Sequence, residues 1–581
     1  MRAVRLSWST PVYAGLRLIS TTLVAGILLV EPCSAEPIHQ QIDSMIESRV
    51  DGVVAAPSSD AEFLRRVYLD LVGRIPSRAE ATTFLDDASP DKRGELVDRL
   101  TASDEFPNRM TDLFHVVLME RMGDHEEWRE YLHGSFTSNK PWDQIAREIA
   151  SPDAENESTR ASAFFITKRL EKYGQNPVDY PGLVRDFGRL MLGVDLQCSQ
   201  CHDDLFVDDY EQVDFQGLFA ILGQTSIRTD TQFPAVAEKL LIEKTEFKSV
   251  FVGAQELTGP RLPFTEKEIA ILTFAKGEEY VLPPDRKKQF PGVPKFSPLK
   301  ELSSNLPDHP MFRKNIANRL WWTMIGRGLV SPLDLHHSDN PPSHPELLAM
   351  LGDELATQKY DIRWYLRQLA LTRAYQRSSV IPESLRDAAA VEDQTTFQIA
   401  IEKPLSNEQL VASLVQAVGD GVTVGPSPEL LDAESDQEVE PKAPNPAVPD
   451  AKKGEVAEPT AAETKVVELR LRFAAAFAPP PRTAEVEHSP SVKAALFLMN
   501  DEVVLEWLLP KGNNLVARLT KEDDHQRLAE ELYLSVLSRY PTDDEVTEVA
   551  DHLSGRAEDR GSACGELAWA LLASTEFGVN H

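Results

Sequence analysis

The fold is decided by a segment that occurs twice in the chain, as Tyr68-Leu69-Asp70-Leu71-Val72-Gly73-Arg74-Ile75-Pro76-Ser77-Arg78-Ala79-Glu80 and as Tyr533-Leu534-Ser535-Val536-Leu537-Ser538-Arg539-Tyr540-Pro541-Thr542-Asp543-Asp544-Glu545. The proline of each copy ends one helix, and the Ser/Thr-x-x-Glu sequence that follows is a capping box that begins the next. Both copies also close alike, at Ala102-Ser103-Asp104-Glu105-Phe106 and Ala573-Ser574-Thr575-Glu576-Phe577. We therefore predict a helical hairpin used twice, whose shared residues are caps and core contacts.

Apolar residues elsewhere recur at helical spacing, which predicts a mainly α, multi-helix fold built from such hairpin units. One helix should follow the capping residues Ser58, Ser59 and Asp60, and another should begin near Pro310. The stripes that support these and neighbouring helices are Phe63, Leu64, Val67, Tyr68 and Leu71; Leu183, Phe187, Leu190 and Met191; Leu218, Phe219 and Leu222; and the region through Trp321 and Trp322.

Two segments depart from the helical pattern. Residues 226–300 contain β-branched and alternating runs such as Lys248-Ser249-Val250-Phe251-Val252, which predict a small β-containing insert. Residues 425–465 are rich in Pro, Ala, Glu and Asp and are expected to be a disordered acidic segment. The predicted organisation is a signal peptide at 1–35, an N-terminal helical domain at 36–225, the insert at 226–300, and a C-terminal helical domain at 301–581 that contains the acidic segment.

The first 35 residues are typical of a secretory signal peptide. Arg2 and Arg5 precede an apolar run from Leu18 to Val30, and Cys33-Ser34-Ala35 offers small residues for cleavage. The run is short for a membrane span, which needs about 20 apolar residues. We expect a periplasmic or secreted protein with no membrane span in the mature chain, and retention of the signal as an anchor is the alternative. The formal charge of −32 argues against nucleic acid and anionic membranes as partners.

The strongest chemical signal is Cys198-Ser199-Gln200-Cys201-His202, in a chain with only four cysteines. C-x-x-C-H is the attachment motif of c-type haem, in which two thiols bind the macrocycle and the histidine binds the iron. The candidate cofactor-binding residues are therefore Cys198, Cys201 and His202, with haem c as the cofactor. A sixth iron ligand would come from a distant residue, and the candidates are Met110, Met119, Met122, His115, Met191 and His336.

Two other chemistries fit the same five residues. Cys198 and Cys201 could form a short-loop disulfide or a redox-active dithiol in an oxidising compartment. Both thiolates and His202 could instead bind zinc, for which Asp203 or a distant histidine would have to supply the fourth ligand. The acidic residues that follow have a simple interpretation as a solvated loop and an alternative one as oxygen ligands; they are Asp203, Asp204, Asp208 and Asp209.

The remaining candidates favour structural roles. Ser343-His344-Pro345-Glu346 resembles a capping box, Gly326-Arg327-Gly328 a helix stop, and His336-His337 a polar loop, with a metal site as the alternative. Trp321 and Trp322 fit a helical core. The chain has no G-x-S-x-G, H-E-x-x-H, P-loop or G-x-G-x-x-G motif, so no enzyme activity is assigned.

Several longer runs carry a further signal: Phe63 to Leu71, Leu192 to Asp203, Asn318 to Trp321, Gly326 to Val330, Asn340-Pro341-Pro342-Ser343-His344-Pro345-Glu346-Leu347-Leu348, Ala374 to Ser379, Ala495 to Asn500 and Asn580-His581. These runs resemble planctomycete exported proteins that pair two domains of unknown function, numbered 1549 and 1553, the first of them also described as cytochrome c-like. The resemblance implies export, a helical build and a cytochrome-like role.

The chain departs from the family pattern in two places. The family usually continues its motif as C-H-D-H-P, whereas Asp203 is followed here by Asp204 and Leu205. The family also often has a C-x-C pair after an arginine, whereas Arg482 is followed by Ala484-Glu485-Val486-Glu487-His488. We expect an exported cytochrome c-like protein that passes electrons to an unidentified redox partner. The alternative is an extracytoplasmic binding or assembly protein in which the motif is a disulfide or metal clasp.

Overall fold

The computed structural model describes residues 36–581 except 51, 229, 252, 254, 289, 384–385, 387–393, 420–460, 483–496, 498 and 499. The signal peptide predicted at 1–35 lies outside the described residues. So does the acidic segment as far as residue 460, and residues 461–465 belong to a helix.

Helices make up most of the regular structure, which confirms the mainly α fold. In the described part of the chain the α-helices are Ile38–Glu47, Asp60–Leu71, Arg78–Leu85, Lys92–Thr101, Glu105–Met119, Glu126–Thr137, Trp142–Ala150, Phe164–Arg169, Tyr180–Phe187, Gln212–Leu222, Pro298–Asn305, Pro310–Ile325, Pro345–Thr357, Ile362–Ala370, Asn407–Val418, Ala461–Phe477, Glu502–Trp507, Leu515–Lys521, His525–Val536, Asp543–Gly555, Arg560–Leu572 and Thr575–Gly578. None of the described helices combines the length and the apolar character needed to cross a membrane.

The described strands form two-stranded antiparallel sheets. Three of these sheets lie between the helices Gln212–Leu222 and Pro298–Asn305, which confirms the β-containing insert. The strand predicted around residue 250 ends earlier, at Lys248, and the chain turns at Val250 and Phe251, which are exposed. The paired strands are Thr225–Arg228 with Ala235–Glu238, Thr245–Lys248 with Gln255–Thr258, Tyr280–Leu282 with Val293–Pro294, and Lys403–Pro404 with Val579–Asn580.

Residues Ile38–His581 form one compact unit with two clusters of buried apolar side chains. The larger cluster combines residues 42–262 with residues 299–397 and Leu534, so it joins most of the N-terminal half to the first part of the C-terminal half. The smaller cluster is built from residues 405–577, and it also takes in Leu69 and Ile75. The first copy of the repeat therefore belongs to both cores.

Both copies of the repeat fold into the predicted helical hairpin and share one ionic arrangement. The Arg74 guanidinium binds Glu80 at 2.9 Å and Glu105 at 2.7 Å. The Arg539 guanidinium binds Glu545 at 2.7 Å and Glu576 at 2.6 Å. In each copy the first glutamate also completes the capping box, with Ser77 or Thr542 as the N-cap. One arginine thus ties the start of the second helix to the closing segment of the unit.

This arrangement makes stability depend on pH. Hydrogen bonds from Arg539 lower the pKa of Glu545 from 4.5 to about 2. A carboxyl group with a lowered folded-state pKa stabilises the fold above its ordinary pKa, and that stability is lost as the pH falls from about 4.5 towards about 2. In Arg539→Gln we therefore expect a smaller loss of Tm between about pH 6 and about pH 3 than in the unmodified protein. Thermal denaturation followed by circular dichroism measures this change. Arg556→Gln, which breaks the exposed pair with Glu566, is the control and should leave the pH profile unchanged; an unchanged profile in Arg539→Gln would contradict the prediction.

A buried carboxylate joins the first repeat to three distant parts of the chain. Asp70 accepts hydrogen bonds from Tyr375 Oη at 2.8 Å, Lys403 Nζ at 2.7 Å and Asn580 Nδ2 at 2.8 Å. Lys403 also donates to the carbonyl oxygens of Thr323 and Met324, at the end of the helix Pro310–Ile325. We call Asp70, Tyr375, Lys403 and Asn580 the Asp70 cluster.

Two further local predictions have different outcomes. The helix stop is confirmed, because Gly326 ends the helix Pro310–Ile325 in the left-handed conformation, with φ of 95°. The capping box at Ser343 is wrong. The helix Pro345–Thr357 has His344 at its N-cap position, without a side-chain cap, and the Ser343 hydroxyl lies against His344 Nδ1 instead.

Candidate functional site

The C-x-x-C-H motif lies on the short connection predicted between two helices. The helix Tyr180–Phe187 continues into a π-helical turn at Gly188–Leu192, and a 3₁₀ turn at Cys198–Gln200 follows. Gly193, between these turns, has φ of 72°, and a Cβ atom there would come within 2.8 Å of His336 Cδ2. Only glycine fits this position, which brings the motif back against the C-terminal half of the chain.

Neighbouring elements hold the backbone of the motif. Gln216 Nε2, on the following helix, donates to the carbonyl oxygen of Gln200 at 3.1 Å. Val250 N, on the first turn after the strand Thr245–Lys248, donates to the carbonyl oxygen of Cys201 at 3.1 Å. The insert and the helix Gln212–Leu222 therefore hold two adjacent carbonyl groups of the motif.

Both thiols of the motif are exposed, and neither forms a disulfide in the described part of the chain. Cys198 and Cys201 reach the surface, while Cys564 is buried among the helices of the C-terminal region. The structure thus places the two predicted attachment residues side by side at an accessible edge. It keeps the third described cysteine away from solvent.

The His202 imidazole is oriented by its own backbone. Its Nδ1 atom lies 2.6 Å from the carbonyl oxygen of Asp203, and its ring centroid lies 4.6 Å from that of Phe251. A carbonyl oxygen only accepts hydrogen bonds, so Nδ1 carries the proton and Nε2 keeps its lone pair in the neutral ring. A hydrogen bond from the ring nitrogen that does not bind the metal is the usual way in which proteins orient a metal-binding histidine.

Asp204, the residue at which the chain departs from the C-H-D-H-P pattern, organises the loop. Its carboxylate accepts the backbone N–H groups of Phe206 at 2.9 Å and Val207 at 3.1 Å, and it also accepts a hydrogen bond from the Cys198 thiol. Desolvation first, and then the Asp204 carboxylate, raises the pKa of Cys198. Asp204 therefore orders the loop and, together with desolvation, disfavours the thiolate form of Cys198.

Removal of this carboxylate should make Cys198 more reactive. In Asp204→Asn the negative charge beside the thiol is lost, so the pKa of Cys198 should fall and its alkylation by iodoacetamide at about pH 8 should become faster, because the thiolate is the nucleophile. Peptide mass spectrometry of the reduced protein measures the rate at each cysteine. Asp208→Asn, on the same loop, is the control; equal Cys198 rates in both variants would contradict the assignment.

Apolar side chains surround the motif and remain open to solvent. Phe206 is 87% exposed and Phe251 is 65% exposed. Leu205 and Val250, beside them, are exposed as well. Isolated exposed apolar residues are normal, but four around two thiols and an imidazole form an apolar surface next to the only strong chemical motif in the sequence.

Comparison with known protein families matches two family models to this chain. Residues 40–227 match PSCyt2, a protein of unknown function (DUF1549), and residues 303–553 match PSD1, a protein of unknown function (DUF1553). The chain belongs to the proteins that pair these two domains. Neither the curated proteins nor the solved structures include a significant match. The motif thus lies within DUF1549, close to its end, and the β-containing insert lies largely between the two domains.

The six candidate sixth ligands lie in different parts of DUF1549 and DUF1553. Three of the methionines, Met110, Met119 and Met191, are buried in the larger core. His115 accepts from Trp128 Nε1 at 3.1 Å, and Met122 Sδ lies 3.2 Å from Arg482 Nε. His336 is buried against Gly193, and its Nε2 atom has no hydrogen-bond partner among the residues that the structure describes.

Acidic residues of the loop and His337 make structural contacts. Asp203 accepts the backbone N–H of Gln212 at 2.8 Å, and Asp209 accepts the Ser338 hydroxyl at 3.0 Å. His337 packs against the Tyr210 ring. Across the residues with described positions, no group of three or more His, Cys, Asp and Glu side chains is arranged to hold a metal ion.

The sequence interpretation missed the arginines beside the motif. Arg185 and Arg189 lie one helical turn apart, immediately before the C-x-x-C-H loop, and both line a cavity next to it. Their spacing was visible in the sequence, because residues four apart share a helix face. Trp322, expected in the core, is half-buried and lines the same cavity, whereas Trp321 is fully buried.

Proposed function

We propose that this DUF1549–DUF1553 protein is an exported cytochrome c-like protein. In this proposal the thiols of Cys198 and Cys201 attach haem c, and His202 Nε2 binds its iron. The observation that carries the proposal is the pairing of two accessible thiols with an imidazole whose Nδ1 already donates to a backbone carbonyl. The short name of the first domain, PSCyt2, also hints at a cytochrome.

The residues around the motif fit a macrocycle. Attachment of haem requires both sulfurs at an open edge, and Cys198 and Cys201 are exposed there. The porphyrin is a large apolar group, and the exposed side chains of Phe206 and Phe251 would lose contact with water by packing on it. The same apolar surface has no comparable explanation in a simple solvated loop.

Haem at this position would supply one-electron redox chemistry, and the chain would supply its setting. His202 would bind the iron with a fixed ring orientation. The carbonyl of Asp203 would hold the proton on Nδ1 and increase the donor strength of Nε2. The apolar side chains beside it would exclude water from one face of the group, which is one of the means by which proteins adjust a haem potential.

Mass spectrometry of the purified full-length protein tests the proposal. After expression with a cytochrome c maturation system, we expect one haem per chain that survives denaturation, a haem-staining band and a Soret absorption. A colourless chain of unmodified mass, from cells in which a control cytochrome is matured normally, would refute it.

A disulfide clasp between Cys198 and Cys201 is the second candidate. It is favoured by the proximity of the thiols, since Cys201 contributes to the raised pKa of Cys198. That raised pKa favours a structural clasp over a redox-active dithiol, which needs a stabilised thiolate. In the same mass measurement, a colourless chain that gains two protons on reduction supports the clasp.

A further inference from the structure

A cavity of about 460 Å³ opens beside the motif, between residues of DUF1549 and DUF1553. On the motif side it is lined by Asp195 and Gln197, which immediately precede Cys198. Its lining from DUF1553 includes Trp322 and Leu335. The cavity therefore lies next to the proposed haem attachment residues and takes residues from both family domains.

The inner wall of the cavity is an ionic network whose charges are already paired. Arg189 binds Glu120 at 2.7 Å, Asp186 at 3.0 Å and Asp334 at 3.1 Å. Arg319 also binds Asp334. The guanidiniums of Arg189 and Arg319 already pair with carboxylates of the protein. They therefore give the cavity a rigid wall and have few N–H donors left for a ligand.

Two other arginines at the cavity, Arg185 and Arg482, make fewer and longer contacts with carboxylates. The Arg185 guanidinium lies 3.4 Å from Gln200 Oε1 and 4.0 Å from Asp179. Arg482 Nη1 lies 3.3 Å from the same Asp179 carboxylate. Each guanidinium has five N–H donors in a planar fork, and these two share a single carboxylate. The Arg185 side chain is 29% exposed and that of Arg482 is 49% exposed.

Asp195 adds a polar group of a different kind to the same cavity. Its side chain accepts the backbone N–H of Gln197 at 3.0 Å. Burial raises the pKa of Asp195. The charge of the Asp195 carboxylate also contributes to the raised pKa of the Cys198 thiol, so this side of the cavity is electrostatically coupled to the motif.

We infer that Arg185 and Arg482 form a carboxylate-binding site at this cavity, beside the C-x-x-C-H loop. The geometry of a guanidinium matches a carboxylate through two parallel hydrogen bonds. Two sources share this chemistry: a propionate of the haem attached at Cys198 and Cys201, or a free organic carboxylate that binds next to the motif. The first source rests on the proposed function, and the second does not.

The experiment uses the full mature protein and three variants. Succinate binding is measured by isothermal titration calorimetry, with neutral succinamide as the comparison ligand. If the site takes a free carboxylate, Arg185→Gln and Arg482→Gln should each weaken succinate binding by about 10-fold or more, as expected for loss of a charge-assisted hydrogen bond. Arg313→Gln, which alters an arginine of similar exposure that pairs with Asp353, is the matched control.

If the carboxylate is instead a haem propionate, the same samples should give a different result. Succinate then does not bind, and Arg185→Gln or Arg482→Gln shifts the haem midpoint potential and the propionate bands of the resonance Raman spectrum, whereas Arg313→Gln shifts neither. Absence of both responses in folded variants refutes the carboxylate site. A colourless protein that still binds succinate through Arg185 would refute the haem proposal and leave the site intact.

Discussion

Asp70→Ala is expected to lower the free energy of unfolding by about 3–5 kcal/mol, the usual cost of removing one partner from a buried ion pair. Asp70 is buried, and its carboxylate is the acceptor for all the other members of the Asp70 cluster. Without it, the Lys403 ammonium keeps only two backbone carbonyl partners, and the Tyr375 hydroxyl and the Asn580 amide each lose an acceptor.

Lys403 shows why the loss should be large. Burial lowers its pKa, and the adjacent Asp70 carboxylate opposes that effect. Once the carboxylate is removed, the ammonium must either lose its proton or remain as a buried charge, and both outcomes cost free energy. Asp70→Asn keeps the volume and one acceptor, so its loss should be smaller than that of Asp70→Ala.

Urea denaturation followed by circular dichroism measures these changes. Asp98→Ala is the matched control, because Asp98 pairs with Arg367 at the surface and exposed ion pairs contribute about 0–1 kcal/mol. Similar unfolding midpoints for Asp70→Ala and Asp98→Ala would show that the Asp70 cluster is not a major source of stability.

The second large effect is expected at the motif itself. The double variant Cys198→Ser/Cys201→Ser should lose all haem that resists denaturation, because no thiol remains there to form a thioether. Either single variant should retain less haem than the unmodified protein. His202→Met should keep both attachment thiols and therefore retain covalent haem, but with a shifted Soret band, because the axial ligand has changed.

Haem staining of denatured samples, quantified per chain, reads out this series. Cys564→Ala is the control, since Cys564 lies buried in the helix Arg560–Leu572 and should not affect staining. Undiminished staining in the double variant would contradict attachment at the motif, whatever the colour of the native protein.

Local patterns predicted the helices well because their causes are local. The cap at Ser59, the boxes at Ser77 and Thr542, and the apolar stripe from Phe63 to Leu71 all act within a few residues, and the structure confirms each of them. The failed box at Ser343 shows the limit of such patterns. Its sequence matches the motif, but His344 takes the cap position instead.

Partners distant in sequence could not be predicted in the same way. Asp70 meets residues 305, 333 and 510 positions away, and no local spacing encodes such contacts. The ion pairs between arginine and the closing glutamate are an exception. Arg74 and Glu105 recur as Arg539 and Glu576 at equivalent positions of the second copy, and this recurrence in the sequence indicated that the two residues act together.

The candidate site also contains residues that local sequence patterns predict and residues that only distant contacts bring together. The sequence predicted Cys198, Cys201 and His202 and their location between helices, because the motif is contiguous. Phe251 and Arg482 reach the motif or its cavity from other segments, and only the folded chain brings them there.

The contacts of the helix Asp60–Leu71 also limit when this part of the protein can finish folding. Arg65 donates to the carbonyl oxygens of Val536 and Phe577, and Arg66 donates to that of His581. These buried guanidiniums are synthesised early, and their acceptors follow 471, 512 and 515 residues later in the chain. The helix Asp60–Leu71 therefore cannot complete its contacts until those residues have been made. A fragment cut at the end of the DUF1549 match would leave both arginines without these partners.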